Sequence, residues 1–384
     1  MVTLNGRDRC IVIVLLVFVV AVLATIFSSL VPIFWHEKLY IDGLTIIDST
    51  PSLEPFGSSF NAAAVFLRPW IAIASAFGGQ ISNYGSHYDI GLLITNGVFG
   101  VTVLVVFSWF ALRYKPTFTL NNLMAVGAVM VLLAPFYFCV TKELISLLGS
   151  VLPLAMWSRR SDKGGLGIAL YVVSMTFLGT YFRAYYLLYA VVLCVNLVAM
   201  RRLSLAVIVY GSALVAVFVL FRHLPWDLLT KGRAEYLEGV SASRIEYDLP
   251  DDGFVGFVGN RLLAFLTMLF PVNLALRSPA YVPFILMQIW ISVRMIGLLK
   301  ARAAGVIGFA NHAVLAFTMV QAIFEPDYGS YFRHRVGLLL LMLLMLCRFS
   351  KIPQRPAIQL PAVPPRRSLM PGRMANGSMH SAQA

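Results

Sequence analysis

Apolar runs long enough to cross a bilayer recur along almost the whole chain, and no other feature limits its fold so severely. A spanning helix needs about 20 mostly apolar residues. Backbone at that depth must satisfy its own hydrogen bonds, which leaves helices or a closed barrel. Ten runs are expected to cross: Ile11 to Phe34, Ile90 to Leu112, Leu120 to Val140, Leu144 to Trp157, Gly165 to Thr180, Ala184 to Met200, Leu203 to Phe221, Tyr281 to Leu299, Ala304 to Phe324, and Val336 to Cys347. These runs favour helices over the weak alternation of barrel strands. Of the 384 residues 59% are hydrophobic and only 12% charged, and the mean hydropathy is +0.81. A soluble domain carries about twice that charged fraction. The expected fold is therefore an all-α, polytopic integral membrane domain over residues 1–347. A basic, Pro-rich tail at 348–384 has the composition of a disordered segment.

The net charge of +13 reads as orientation. Basic residues hold loops on the cytoplasmic side. With the N-terminus inside, ten alternating spans leave Arg7, Arg9, Arg113, Lys115, Arg159, Arg160, Lys163, Arg201, Arg202, Lys300, Arg302 and the tail inside. Asp8 and Asp162 are the acids that accompany them. Both termini are thus expected in the cytoplasm. The run Ile11 to Phe34 is read as a retained anchor, being longer than the apolar core of a removable signal. Two weaker segments, Asn61 to Gly79 and Leu262 to Leu276, are interrupted by Arg68-Pro69 and by Pro271. If either crossed alone, basic loops would move outside, so both are expected to be re-entrant or interfacial. Two larger outer loops follow, about Trp35 to Asp89 and Arg222 to Ala280. No basic face is built on a folded domain, so no nucleic-acid partner is expected. Membrane lipids are the expected surroundings.

The inner loops are short and nearly free of acids. No GxxxxGK[ST] motif or Gly-rich strand-to-helix turn is present. Any chemistry is expected on the outer face, where three hairpins stand out. Thr141-Lys142-Glu143 precedes a run of about 14 residues, roughly 21 Å long and short of a hydrocarbon core. A recessed Lys142 and Glu143 are costly and suggest a purpose; the plain alternative is a self-paired Lys–Glu at the headgroups. Tyr181-Phe182-Arg183 forms a second turn with almost no loop, where Arg183 either serves a cavity or snorkels to the headgroups. The third is Phe324-Glu325-Pro326-Asp327-Tyr328-Gly329-Ser330-Tyr331-Phe332-Arg333-His334-Arg335. Here Arg333 and Arg335 are expected at the N-terminus of the last helix, opposing its dipole and, with the free N–H groups, forming an anion site. No HExxH or CxxC spacing occurs, so no metal and no cofactor are expected.

The stretch from Glu325 to His334, entering a final apolar helix, resembles the late outer motif of bacterial Wzy-type and EpsG-like polysaccharide polymerases. Thr141-Lys142-Glu143-Leu144-Ile145-Ser146 resembles their Ser-Lys-acid hairpin, with Thr141 in the place of Ser. Arg183, followed by Tyr185 and Tyr186, resembles their middle outer arginine. The resemblance implies a GT-C-like membrane glycosyltransferase of the bacterial inner membrane. Such an enzyme joins repeat units carried on undecaprenyl pyrophosphate at the periplasmic face, without nucleotide sugars. Flippase and chain-length regulator proteins are the partners it implies. Arg183, Arg333, Arg335, Lys142 and His334 would hold the pyrophosphate. Glu325, Asp327 or Glu143 would act as base.

Two rivals remain at this stage. A mannosyltransferase-like GT-C enzyme using a lipid-phosphate sugar would place Asp42 or Asp48 and a divalent metal in the first outer loop. A transporter or flippase of a lipid-linked glycan would carry charges deep within its spans.

Overall fold

The computed structural model describes Val19 and residues 37–79, 90–137, 139–159, 164–199, 203–223, 243–245, 249–250, 253–325 and 327–349. Apart from Val19, the expected first span lies outside the described residues, as does the tail after Phe349. Thirteen helices are described here: α1 (Glu37–Asp48), α2 (Ser59–Ala76), α3 (Ile90–Tyr114), α4 (Leu120–Tyr137), α5 (Lys142–Arg159), α6 (Gly164–Tyr181), α7 (Tyr185–Ala199), α8 (Leu203–Leu220), α9 (Phe254–Leu269), α10 (Val282–Lys300), α11 (Gly305–Phe324), α12 (Tyr328–His334) and α13 (Leu339–Leu346). Short 3-10 turns cover Phe221–His223, Val272–Leu276, Pro279–Tyr281 and Arg335–Leu338. No β-sheet occurs among the described residues; two isolated bridges, Pro116 with Phe349 and Arg244 with Asp327, are the extended pairings. The chain is a polytopic helical membrane protein.

The span count corrects the sequence expectation. Among the described residues, five helices are long and apolar enough to cross a membrane: Ile94–Tyr114, Gly164–Tyr181, Pro279–Lys300, Gly305–Phe324 and Tyr328–Leu346. The expectation of about ten spans in a GT-C-like arrangement does not hold. Its error was to count apolar composition without helix length. The apolar helices Leu120–Leu133, Tyr185–Ala199, Ser204–Leu220 and Phe254–Leu269 have 10–17 residues. Each is shorter than Gly164–Tyr181, which at 18 residues is the shortest of the five spans. The fourth expected span, α5, carries Lys142, Glu143 and Arg159 within its 18 residues. The two expected outer loops also hold helices of their own, α1 and α2 in the first and α9 in the second.

Helix α11 runs through the middle of the bundle, and most of its side chains, like all of those in α13, are buried. It packs on α7, α9 and α13, while α5, α6 and α7 form consecutive hairpins beside it. Between α6 and α7 the approach is very close. A Cβ on Gly179 would lie 2.7 Å from the backbone nitrogen of Leu187. Glycine there lets the α6–α7 hairpin close over the three-residue turn that carries Arg183.

The hairpins define two ends. At one lie the C-terminus of α6, the N-termini of α5 and α7, and the α11–α12 turn. The opposite end is tied down where α13 stops. Its last carbonyls have no partner within the helix. The Asn121 amide donates to Leu346 O at 3.1 Å, and the Asn122 amide to Arg348 O at 2.8 Å. The Tyr114 hydroxyl closes the same end by donating to Leu154 O at 2.9 Å.

The two weak segments are both helical. α2 is capped by Ser58, whose hydroxyl accepts from Asn61 N at 3.5 Å. It carries Pro69 inside and is tied to α3 by the Trp70 indole, which donates to the Thr102 hydroxyl at 2.6 Å. α9 begins with Phe254 and Phe257 against Phe221 and stops at Phe270-Pro271. There Leu269 O accepts from the Ser292 hydroxyl, in the middle of α10, at 2.7 Å. The chain then returns, and the Asn273 amide meets the Tyr328 hydroxyl at 3.2 Å.

The last span is broken. Asp327 caps α12, accepting from Ser330 N at 2.8 Å, and the helix runs seven residues to His334. The 3-10 turn Arg335–Leu338 follows before α13. A Cβ on Gly337 would meet the Ser146 hydroxyl at 2.5 Å. This close approach locks the turn against α5.

Candidate functional site

Six ionisable side chains from five parts of the chain form one row at the α5–α7 end of the bundle. They come from α1 (Asp42), the start of α5 (Glu143), the α6–α7 turn (Arg183), the C-cap of α11 (Glu325) and the last turn of α12 (Arg333, His334). Arg333 donates to Asp42 at 2.5 Å and pairs through its Nε with Glu143 at 2.9 Å. Arg183 reaches the same Glu143 oxygen at 3.5 Å. Its Nη1 also meets His334 Nε2. His334 Nδ1 lies 3.2 Å from Glu325 Oε2 and 3.2 Å from Gln321 Oε1. Carboxylates and guanidiniums alternate from Asp42 inward to Glu143 and Arg183, and His334 joins them to Glu325.

Burial grades along the row. The Glu143 and His334 side chains are each 2% exposed and that of Glu325 is 1%. Asp42, Arg183 and Arg333 are 21%, 20% and 13% exposed, so the row has an open edge. Glu143 stands ahead of the apolar stretch of α5. Burial works against its charge, yet the guanidiniums of Arg333 and Arg183, with Lys142, hold its carboxyl below the usual range. Lys142 does not pair with its neighbour, as the plain reading expected. Its ammonium sits 3.5 Å above the Phe60 ring and donates to the Ser59 hydroxyl at 3.3 Å. Burial first, and then Arg183, lower its pKa to about 7. A cavity of about 10 Å³, room for a single water, is lined by Lys142, Glu143, Ser146, Phe182, Arg183 and Tyr186. A larger anion must meet the row at its open edge.

Two expected site residues lie apart from the row. Asp327 is occupied as the α12 cap and accepts from the Ser243 hydroxyl at 2.5 Å. Arg335 is 1% exposed and points into the bundle, where it donates to Gln288 Oε1 and lies 5.1 Å from the centre of the Tyr331 ring. The expected helix N-terminus at Arg333 is also corrected. α12 begins five residues earlier than Arg333, at Tyr328, because Asp327 supplies the cap. Arg333 and His334 therefore occupy its last turn, where the dipole favours a cation.

The partnership of Asp42 with Arg333 had no sequence signal. The two are 291 positions apart, and Asp42 was weighed only as a metal ligand or catalytic acid. With a guanidinium at 2.5 Å, a cation beside Asp42 would face like charge. Among the described residues no group of three His, Cys, Asp or Glu is arranged to hold a metal ion.

No protein-family model, curated protein or solved structure matches the chain. What the site can do therefore rests on its own chemistry. Two guanidiniums converge on one carboxylate with part of each exposed. A guanidinium presents donors in a planar fork that fits carboxylate or phosphate oxygens two at a time. The row suits a phosphorylated or diphosphate ligand whose oxygens take over donors now shared with Asp42 and Glu143.

Proposed function

We propose that the chain is a membrane glycosyltransferase of the polysaccharide-polymerase type, joining glycan repeat units carried on undecaprenyl pyrophosphate at the periplasmic face of a bacterial inner membrane. One observation carries this reading. Arg183 and Arg333, from separate turns about 150 residues apart, meet on Glu143 at one end of the bundle. The opposite end supports the side. It carries Arg113, Lys115, Lys300, Arg302 and Arg348, the basic residues expected of a cytoplasmic face.

In this reading the acceptor hydroxyl oxygen forms the new bond to the anomeric carbon of the donor. The bond from that carbon to the pyrophosphate oxygen breaks, and the lipid pyrophosphate leaves with the electron pair. Arg183 and Arg333 stabilise the charge that develops there. Asp42, the most exposed carboxylate of the row, takes the hydroxyl proton. Glu143 keeps the two guanidiniums together.

The test is the glycan length ladder of cells that depend on this chain, read beside its membrane abundance. Arg183→Lys and Arg333→Lys keep the charge and lose the fork. Each is expected to accumulate normally yet lower polymerisation by about 10²–10³, leaving single repeat units on the lipid. An undiminished ladder in both removes the arginines from catalysis.

A carrier of lipid-linked glycan is favoured by one observation, the buried Arg335 inside a broken span. It would strand single repeat units on the inner leaflet when disabled, whereas a disabled polymerase strands them on the outer one.

A further inference from the structure

We infer that His334 neither contacts the ligand nor acts as the base: it is a positioning residue, locked as the neutral Nδ1–H tautomer by Glu325 and Gln321, and it acts through Arg183. The functional consequence rests on the reading of Arg183 as a phosphate-binding group; the tautomer does not.

Donor chemistry dictates the assignment. A guanidinium has five N–H donors and no acceptor. His334 Nε2 contacts Arg183 Nη1, so that ring nitrogen must supply a lone pair. The ring proton is then on Nδ1. Both groups facing Nδ1 are acceptors, Glu325 Oε2 and Gln321 Oε1, each at 3.2 Å. Glu143 Oε1 is 3.9 Å from Nε2. Between a lone pair and a carboxylate that separation is no ion pair. The Tyr185 ring lies over the imidazole, with centres 5.6 Å apart and planes inclined by 34°, and fixes its plane. The Tyr185 hydroxyl accepts from Arg183 Nη1 at 3.4 Å. One nitrogen of the Arg183 fork is thus held by His334 and Tyr185. The other, Nη2, is left to Glu143 and the open edge. A buried carboxylate that orients a ring which in turn orients the working group is the logic by which outer-shell partners tune metal ligands. Here the working group is an arginine.

Two measurements test this. The first needs no ligand. In full-length protein labelled with ¹⁵N-histidine and reconstituted in nanodiscs, the His334 ring is identified among the six histidines by its loss in His334→Gln. The expected spectrum has a protonated Nδ1 and an unprotonated Nε2. The opposite tautomer, or a doubly protonated ring, overturns the inference. The second is inorganic pyrophosphate affinity. His334→Gln keeps one acceptor and one donor and is expected to stay within about threefold of the parent. His334→Phe keeps the shape and loses both, for an expected weakening of about tenfold or more, typical of a lost hydrogen bond to a charged group. In an Arg183→Lys background His334→Phe should add little, because the two residues act as one unit. Equal loss in Gln and Phe variants, or additive losses with Arg183→Lys, overturns the positioning role. A ladder indifferent to Arg183→Lys removes Arg183 from catalysis and leaves the tautomer and the coupling of His334 to Arg183 standing. A parent protein that binds no pyrophosphate sinks the polymerase reading, and the ring spectrum still decides the tautomer.

Discussion

Asp42 competes with any incoming phosphate for Arg333, and the two roles assigned to it pull in opposite directions. Asp42→Asn removes the competing charge at the open edge of the row. Partly exposed pairs of this kind are worth about 0.2–1 kcal/mol. Pyrophosphate affinity should therefore rise, by at most about fivefold, measured by calorimetry on detergent-solubilised protein. The glycan ladder should shorten in the same variant, because the proton acceptor is gone. Weaker pyrophosphate binding would mean that Asp42 organises Arg333 instead of competing for it. At this scale the sequence disclosed the types of residue and not their partners. Glu143 stands out because recessed charge is costly, Arg183 because its turn has almost no loop, and Arg333 and Glu325 because they share one short outer hairpin. Nothing local separated Arg333, which enters the row, from Arg335, two positions on, which turns into the bundle. That difference is set by the 3-10 turn that begins at Arg335. Nor could any spacing have linked Asp42 to the end of the chain.

The elements were more legible than the contacts. α3, α10 and α11 match the expected runs to within about two residues at each end, because long apolar stretches state their own limits. The last span did not. Its expected start at Val336 overlooked the polar helix Tyr328–His334, which Asp327 caps. Hydropathy registers the apolar half and is blind to a capped polar turn that joins it. The 3-10 turn between the halves is held to α5 through Gly337, whose added Cβ would come within 2.5 Å of the Ser146 hydroxyl and 2.9 Å of its Cβ. Ser146 lies one turn beyond Glu143 and donates to the Glu143 carbonyl at 2.7 Å. The contact thus sets the distance between Glu143 and Arg333. Gly337→Ala should cost about 1–3 kcal/mol of stability by overpacking, read as a lower melting temperature in detergent. Adding Ser146→Ala, which removes the nearer of the two atoms, should restore part of the loss. An unchanged melting temperature in Gly337→Ala would show that the turn can shift without penalty.

At the scale of the whole molecule, the described charges are divided between two ends, mixed and acid-bearing around the row and basic opposite it. If that division reports orientation, a reporter active only in the periplasm should work when fused at Ser330 and fail at Ser161 and Ala384. Activity at Ala384 would refute the assignment of both termini to the cytoplasm. The broken last span has a consequence for how the protein is made. Tyr328–Leu346 is a 19-residue span with Arg335 close to its midpoint. A central arginine costs an isolated segment about 2.5–3.5 kcal/mol on insertion. The stretch beyond it, Val336 to Leu346, is roughly 16 Å long as a helix, about half a hydrocarbon core. Released alone from the translocon, this segment has little reason to enter lipid. Its partners, Gln288 for Arg335 and Glu143 for Arg333, are synthesised earlier and already in place. The last helix is therefore admitted by the unfinished protein more than by the membrane, and the charged row closes only as that helix arrives.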